Sequence, residues 1–138
     1  MDNLEKLLGA AGRGVLVTLK RDGRPQLSNV AYHYDEPSST LRISTTDGRA
    51  KTKNLRRDPR ASFYVTTGDL SAYAVAEGTV TLSEIAREPY DAITDELVEH
   101  YRTVRGEHPD WDEFRAAMVA EQRLLIRFPV DRGYGWSP

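Results

Sequence analysis

The apolar positions of this chain switch between helical spacing and strict alternation several times along its length. Leu4, Leu7 and Leu8 stand at helical spacing and predict a short first helix, ended by the glycines between Gly9 and Gly14. "GVLVTLK" then alternates and runs into "RDGRP". There Asp22-Gly23 predicts a tight hairpin turn, because glycine tolerates the positive φ that primed turns need. "PQLSNVAYHYD" predicts the return strand in one piece, "EPSS" the next turn, and "TLRIST" a third strand lying antiparallel beside it. "ASFYVTT", a Gly68-Asp69 turn and "SAYAVAEGTVTLSE" predict a second hairpin. Gly78, inside its long return strand, marks a bulge or a close backbone approach.

From Pro89 the period is helical again, with Tyr90, Ile93, Leu97, Tyr101 and Val104 on one stripe. "GEHP" ends that helix. Asp110 with Glu113 three residues later predicts a capping-box start for another, which buries Trp111, Phe114 and Met118. "RLLIRFPV" closes as a strand, and "DRGYGWSP" follows as an aromatic tail. The order predicts a mostly β fold with flanking helices, about five or six antiparallel strands closing as a barrel or sheet. Residues 1–138 form a single domain of ordinary size.

Composition narrows the chemistry. Apolar residues are 39% and charged residues 29%, the profile of a folded globular chain. With no cysteine there is no disulfide, thiolate metal site or cysteine nucleophile. "MDNLEKLLGAAGRG" has an acidic start and no apolar run of membrane-spanning or leader length, so the expectation is a cytoplasmic protein away from membranes.

Charge is local. Six of the nineteen Lys and Arg residues fall between Arg49 and Arg60, in a chain of net charge −2. Thr45, Thr46 and Asp47 precede this run as candidate caps, and Pro59 stops it, which predicts a helix of little more than two turns. Arg56 and Arg57 sit where the helix dipole favours cations. Arg49 and Lys51 sit at the opposite end, where positive charge is unfavourable unless an anion shares the site. At roughly 100° per residue, Arg49, Lys53 and Arg56 share one face; Lys51, Asn54, Leu55 and Asp58 share the other. Leu55 turns the second face inward, so Lys51 is the cation best placed to meet a phosphate. With a pI of about 5.9 and no accompanying motif, nucleic acid is not the expected partner.

P-loop, dinucleotide-fingerprint and hydrolase-elbow motifs are missing, and His33, His100 and His108 show no metal-ligand spacing. A barrel with one phosphate-gripping helix and little acid-base equipment points to a bound cofactor as the chemical agent.

The stretches "DGRPQLSNVAYHYD", "RAKTKNLRRDPRAS", "YAVAEGT" and "GEHPDWDEFRAAMV", in this order and spacing, resemble the split β-barrel proteins of the pyridoxamine 5'-phosphate oxidase type. Among these they are most similar to the group using the deazaflavin coenzyme F420. The resemblance implies an antiparallel split β-barrel of the FMN-binding type. It also implies a homodimer with cofactor at the subunit interface and hydride transfer to a small unsaturated or carbonyl acceptor. By the same resemblance Lys51 binds phosphate with Arg49 beside it, and Asn54 helps hold the cofactor. Ser28, Asn29 and Val30 line the tricyclic ring, Ser44 and Thr45 face it, and Tyr73 approaches from the neighbouring subunit. An FMN-dependent oxidase and a non-catalytic F420 carrier are the alternatives. The chain departs from the pattern at Leu70-Ser71-Ala72, where an aromatic residue is expected; a relative's substrate therefore does not carry over.

Overall fold

The computed structural model describes residues 2–138. Helix α1 (Asp2–Ala11) buries Leu4 and Leu8 and leads into β1 (Arg13–Leu19) and β2 (Pro25–Ala31). The hairpin between them differs from the primed turn expected. Gly23 N–H donates to Lys20 O and Lys20 N–H to Arg24 O, so the loop has three residues, and the positive φ falls on Gly23 alone. This is a type I turn closed by a glycine bulge, the next commonest solution for a hairpin.

The predicted second strand is two strands. After β2 the chain turns at Tyr32 and starts β3 (His33–Asp35), which belongs to a different sheet. Tyr32 is buried, its ring edge-on to Phe63 at 4.7 Å. Its N–H pairs with Gly12 O and its hydroxyl with Leu8 O, instead of continuing a ladder. Strand β4 (Thr40–Thr46), helix α2 (Ala50–Arg57) and strand β5 (Arg60–Thr66) follow. The next predicted strand also divides, into β6 (Tyr73–Thr79) and β7 (Thr81–Leu82), with Val80 buried at the crossing. Gly78 marks the close approach: a Cβ there would strike Pro129 O and the Phe128 ring.

Helices α3 (Ala92–Arg105) and α4 (Trp111–Ala120) precede β8 (Arg123–Pro129). Asp91 caps α3 by accepting from Thr94 N–H at 2.9 Å, which leaves Tyr90 outside the helix and exposed; the buried stripe starts at Ile93. Asp110 caps α4 by accepting from Glu113 N–H, while the Asp110 N–H is taken by His108 Nδ1 rather than by the Glu113 side chain. The expected tail is a strand, β9 (Arg132–Trp136), paired along β6.

All strand pairs are antiparallel, in a sheet of order β2-β1-β5-β6-β9 and one of order β3-β4-β8-β7. Alternation sends Leu16, Phe63, Val65, Ala74 and Ala76 from the first sheet and Leu41, Ile43, Ile126 and Phe128 from the second into one core. Leu125 points the other way. It anchors a second cluster in which Ile93, Leu97, Val98, Phe114 and Met118 pack α3 and α4 against the outer face of β8. No helix among the described residues is long and apolar enough to cross a membrane.

Candidate functional site

Helix α2 is fixed by its inward face. Leu55 enters the core, and Asn54 Nδ2 donates to Thr18 Oγ1 at 3.1 Å and to Gln26 Oε1 at 2.9 Å. Asn54 Oδ1 accepts from Arg57 Nη2, which also reaches Leu19 O. The side chain is thereby fully engaged in tying α2 to β1 and β2. At the other end of the helix the N-cap is Arg49, in extended backbone and with no side-chain cap. The candidate caps are occupied elsewhere. Asp47 pairs with Arg56 at 2.5 Å, while Thr45 is buried, with its Oγ1 3.3 Å from Thr52 Oγ1. Thr52 Oγ1 in turn donates to Thr46 O. The first turn of α2 holds no acid, so its outward N–H groups and positive dipole end are free to meet an anion.

That end opens into a cleft of about 340 Å³. One side is formed by Asn29, Val30 and Ala31 of β2, Ser44 of β4, Lys51 and Arg123; the other by Leu97, His100, Tyr101, Val104 and Arg105 of α3 with Phe114 and Met118 of α4. Among the described residues no carboxylate lines it, although α3 carries Asp95, Glu96 and Glu99. Those acids lie off the cleft face and engage Arg115, Arg127 and Arg102.

Lys51 is half-buried, and burial, then Arg49 and Arg123, hold its ammonium below the usual lysine range. Charging a lysine there costs free energy that a bound anion returns. Arg123 is steadied by Glu121, which takes its Nη2 at 2.9 Å and its Nε at 3.1 Å. Lys51 has no ion-pair partner among the described residues. The arrangement is a cationic pole beside an apolar and aromatic wall, suited to a flat ring bearing a phosphate.

Of the sequence-predicted residues, Asn29, Val30, Ser44 and Lys51 come together in this cleft. Ser28, next to Asn29 on β2, does not line it, and Arg49 is exposed at the helix N-cap. Thr45 and Asn54 face inward. Tyr73 lies at the start of β6, 6.0 Å from the Tyr64 ring, lining a separate hollow with Asn3 and Trp136. Sequence reasoning missed the whole α3–α4 wall, His100 in particular, and Arg123 of β8 on the facing side. The stripe Leu97-Tyr101-Val104 signals burial, but nothing local tells whether an apolar face meets core or ligand.

A family model described as "Pyridoxamine 5'-phosphate oxidase" matches residues 1–137. Among solved structures, the fold is similar to a conserved hypothetical protein of Mycobacterium tuberculosis, with 21% identity over 99% of this chain and 83% of that one and a TM-score of 0.74. It is also similar to a protein titled F420 reductase, 23% identical over 94% of both chains with a TM-score of 0.70. An FAD-binding protein of Mesorhizobium loti is 19% identical over 96% of this chain and 89% of that one, with a TM-score of 0.67. At these identities the likeness is one of fold.

Proposed function

Because the chain belongs to the pyridoxamine 5'-phosphate oxidase family, we propose that it is an F420-dependent oxidoreductase acting on a small unsaturated or carbonyl acceptor. In this reading it is a cytoplasmic homodimer, and its two sheets are the halves of a split β-barrel. The observation that carries the proposal is Lys51: a half-buried ammonium at the uncapped end of α2, with no ion-pair partner and no cleft-lining carboxylate among the described residues. The neighbour titled F420 reductase supports the choice of deazaflavin over flavin.

The residues fit such a cofactor. Lys51 and the first-turn N–H groups of α2 hold the phosphate, with Arg123 adding field from the start of β8. Val30, Tyr101, Phe114 and Met118 give the cleft an apolar lining for the ring. When bound, the reduced deazaflavin supplies a hydride. The protein's part is to hold ring and acceptor in register and to keep water from the apolar side of the cleft. No side-chain nucleophile is required.

Parallel fluorescence titrations with F420 and FMN test the proposal, followed by turnover of reduced F420 over a panel of electron-poor alkenes and carbonyls. Saturable F420 binding with acceptor-dependent oxidation is expected. Binding of FMN alone would overturn the cofactor assignment and favour a flavin oxidase, a reading that the likeness to an FAD-binding protein keeps open. Tight F420 binding with no turnover across the panel would make the protein a carrier.

A further inference from the structure

His100 is the one described residue with a buried side-chain polar atom, Nδ1, that finds no hydrogen-bond partner in the protein. Native structures pair nearly all such atoms, so an exception calls for a cause. The position supplies one. His100 lies on the cleft face of α3, one turn beyond Leu97, and lines the same cavity as Lys51 and Ser44. It also borders a shallower hollow formed with His33, Arg42, Asp95, Glu96, Glu99, Thr103 and Leu125.

Burial sets its state first, and the charged groups around it add to that. On the hollow side, His33 of β3 and Arg42 of β4 disfavour a second positive charge; the α3 acids Asp95, Glu96 and Glu99 are engaged with arginines and leave His100 unpaired. On the cleft side stand Lys51, Arg105 and Arg123, all cationic. Burial is the largest influence, followed by His33 and Arg42, and the imidazole titrates at about 4. At neutral pH it therefore presents one N–H and one lone pair. Either group alone can meet the pyrimidine edge of a deazaflavin or flavin, the N–H at a ring C=O or the lone pair at a ring N–H.

We infer that His100 is a ligand-binding residue of the cleft, its imidazole hydrogen-bonding the polar edge of the bound ring while Lys51 holds the phosphate. The inference rests on the reading of the cleft as a ring-cofactor site, but not on which ring it takes. Nδ1 is closed off in the free protein, so on this inference the imidazole turns about Cβ–Cγ as the ring enters.

The test is NMR of the full chain labelled with 15N in its imidazoles, of which there are three, titrated separately with F420, FMN and inorganic phosphate at pH 7.5. The expected result is a change at the His100 nitrogens on saturation with a ring cofactor, with His33 unmoved, and no change with phosphate alone. His100→Leu should weaken ring binding about tenfold and His100→Gln, which keeps a donor and an acceptor, much less. If F420 binds and the His100 nitrogens stay still, the inference falls and the proposed function stands. If only FMN binds and moves them, the F420 assignment falls and the inference stands. If neither ring binds, both fall. The spectra of the unaltered protein decide the matter even if a variant fails to fold.

Discussion

Lys51 and Lys53 stand two positions apart on one short helix and meet different surroundings. Lys51 is half-buried against the cleft, with Arg49 and Arg123 pressing its ammonium toward neutrality; Lys53 is exposed. A charge-assisted hydrogen bond to phosphate contributes about 1.5–3 kcal/mol, so Lys51→Ala should raise the dissociation constant for F420 by roughly 10- to 100-fold. Lys53→Ala should change it by less than about threefold, since a solvated cation at that range is screened. Equal losses in fluorescence titrations would refute the difference between the two faces. That difference was legible in the chain, because Leu55 alone fixes which face turns inward. Asn54 was not: a polar residue on the inward face reads equally as ligand contact or as tether. Only the positions of Thr18 and Gln26, far away in sequence, show that it spans from α2 to β1 and β2.

Elements are legible in the chain where one period persists and illegible where the chain changes sheets. Tyr32 and Val80 each continue the alternation of the strands they interrupt, so no local signal separates β2 from β3 or β6 from β7. The division comes from long-range pairing. Strand β9 escaped notice for a simpler reason: Gly133 and Gly135 remove the side chains whose alternation would reveal it. Gly78, by contrast, announced itself, and its role leads to a measurable contrast with Gly9. A methyl group at Gly78 would meet backbone and ring atoms of β8 that cannot step aside, so Gly78→Ala should destabilise the fold by about 1–3 kcal/mol or more. Gly9 lies in α1, exposed, with nothing near its missing Cβ and an ordinary φ. Gly9→Ala should stabilise by up to about 1 kcal/mol through helix propensity. Urea denaturation midpoints, at unchanged slope, check both signs.

At the scale of the whole molecule, two hydrophobic clusters share β8: Ile126 and Phe128 face the space between the sheets, and Leu125 faces the helical pair. A strand covered on both faces reads as a continuous apolar run, which is why "RLLIRF" is plain in the sequence. What the run does not disclose is that α3, packed over it, carries a histidine into the boundary between cluster and cleft. That placement makes stability depend on pH in a definite window. His100 titrates at about 4 in the folded chain against an ordinary 6.5, so between these values the unfolded chain binds more protons. The stabilisation is complete above about pH 6.5 and is lost as pH falls toward 4, by on the order of 3 kcal/mol in all. The carboxylates act lower. Asp91, which accepts from the Thr94 hydroxyl and from the Arg87, Thr94 and Glu88 N–H groups, is held well below its usual range, and Asp58 and Asp69 lie at about 2, so they lose their contribution only below about pH 4. The two windows separate, and thermal denaturation measured from pH 7 to 4 should show His100 largely by itself. Around the ring, His33 and Arg42 oppose its protonation, and Glu96 and Glu99 are held by Arg127 and Arg102. A His100→Gln chain, unable to take up the proton, should therefore keep a nearly flat stability over pH 6.5 to 4 where the unaltered chain declines. An identical decline in both would mean that some other group carries the acid sensitivity and that the imidazole is solvated in the fold.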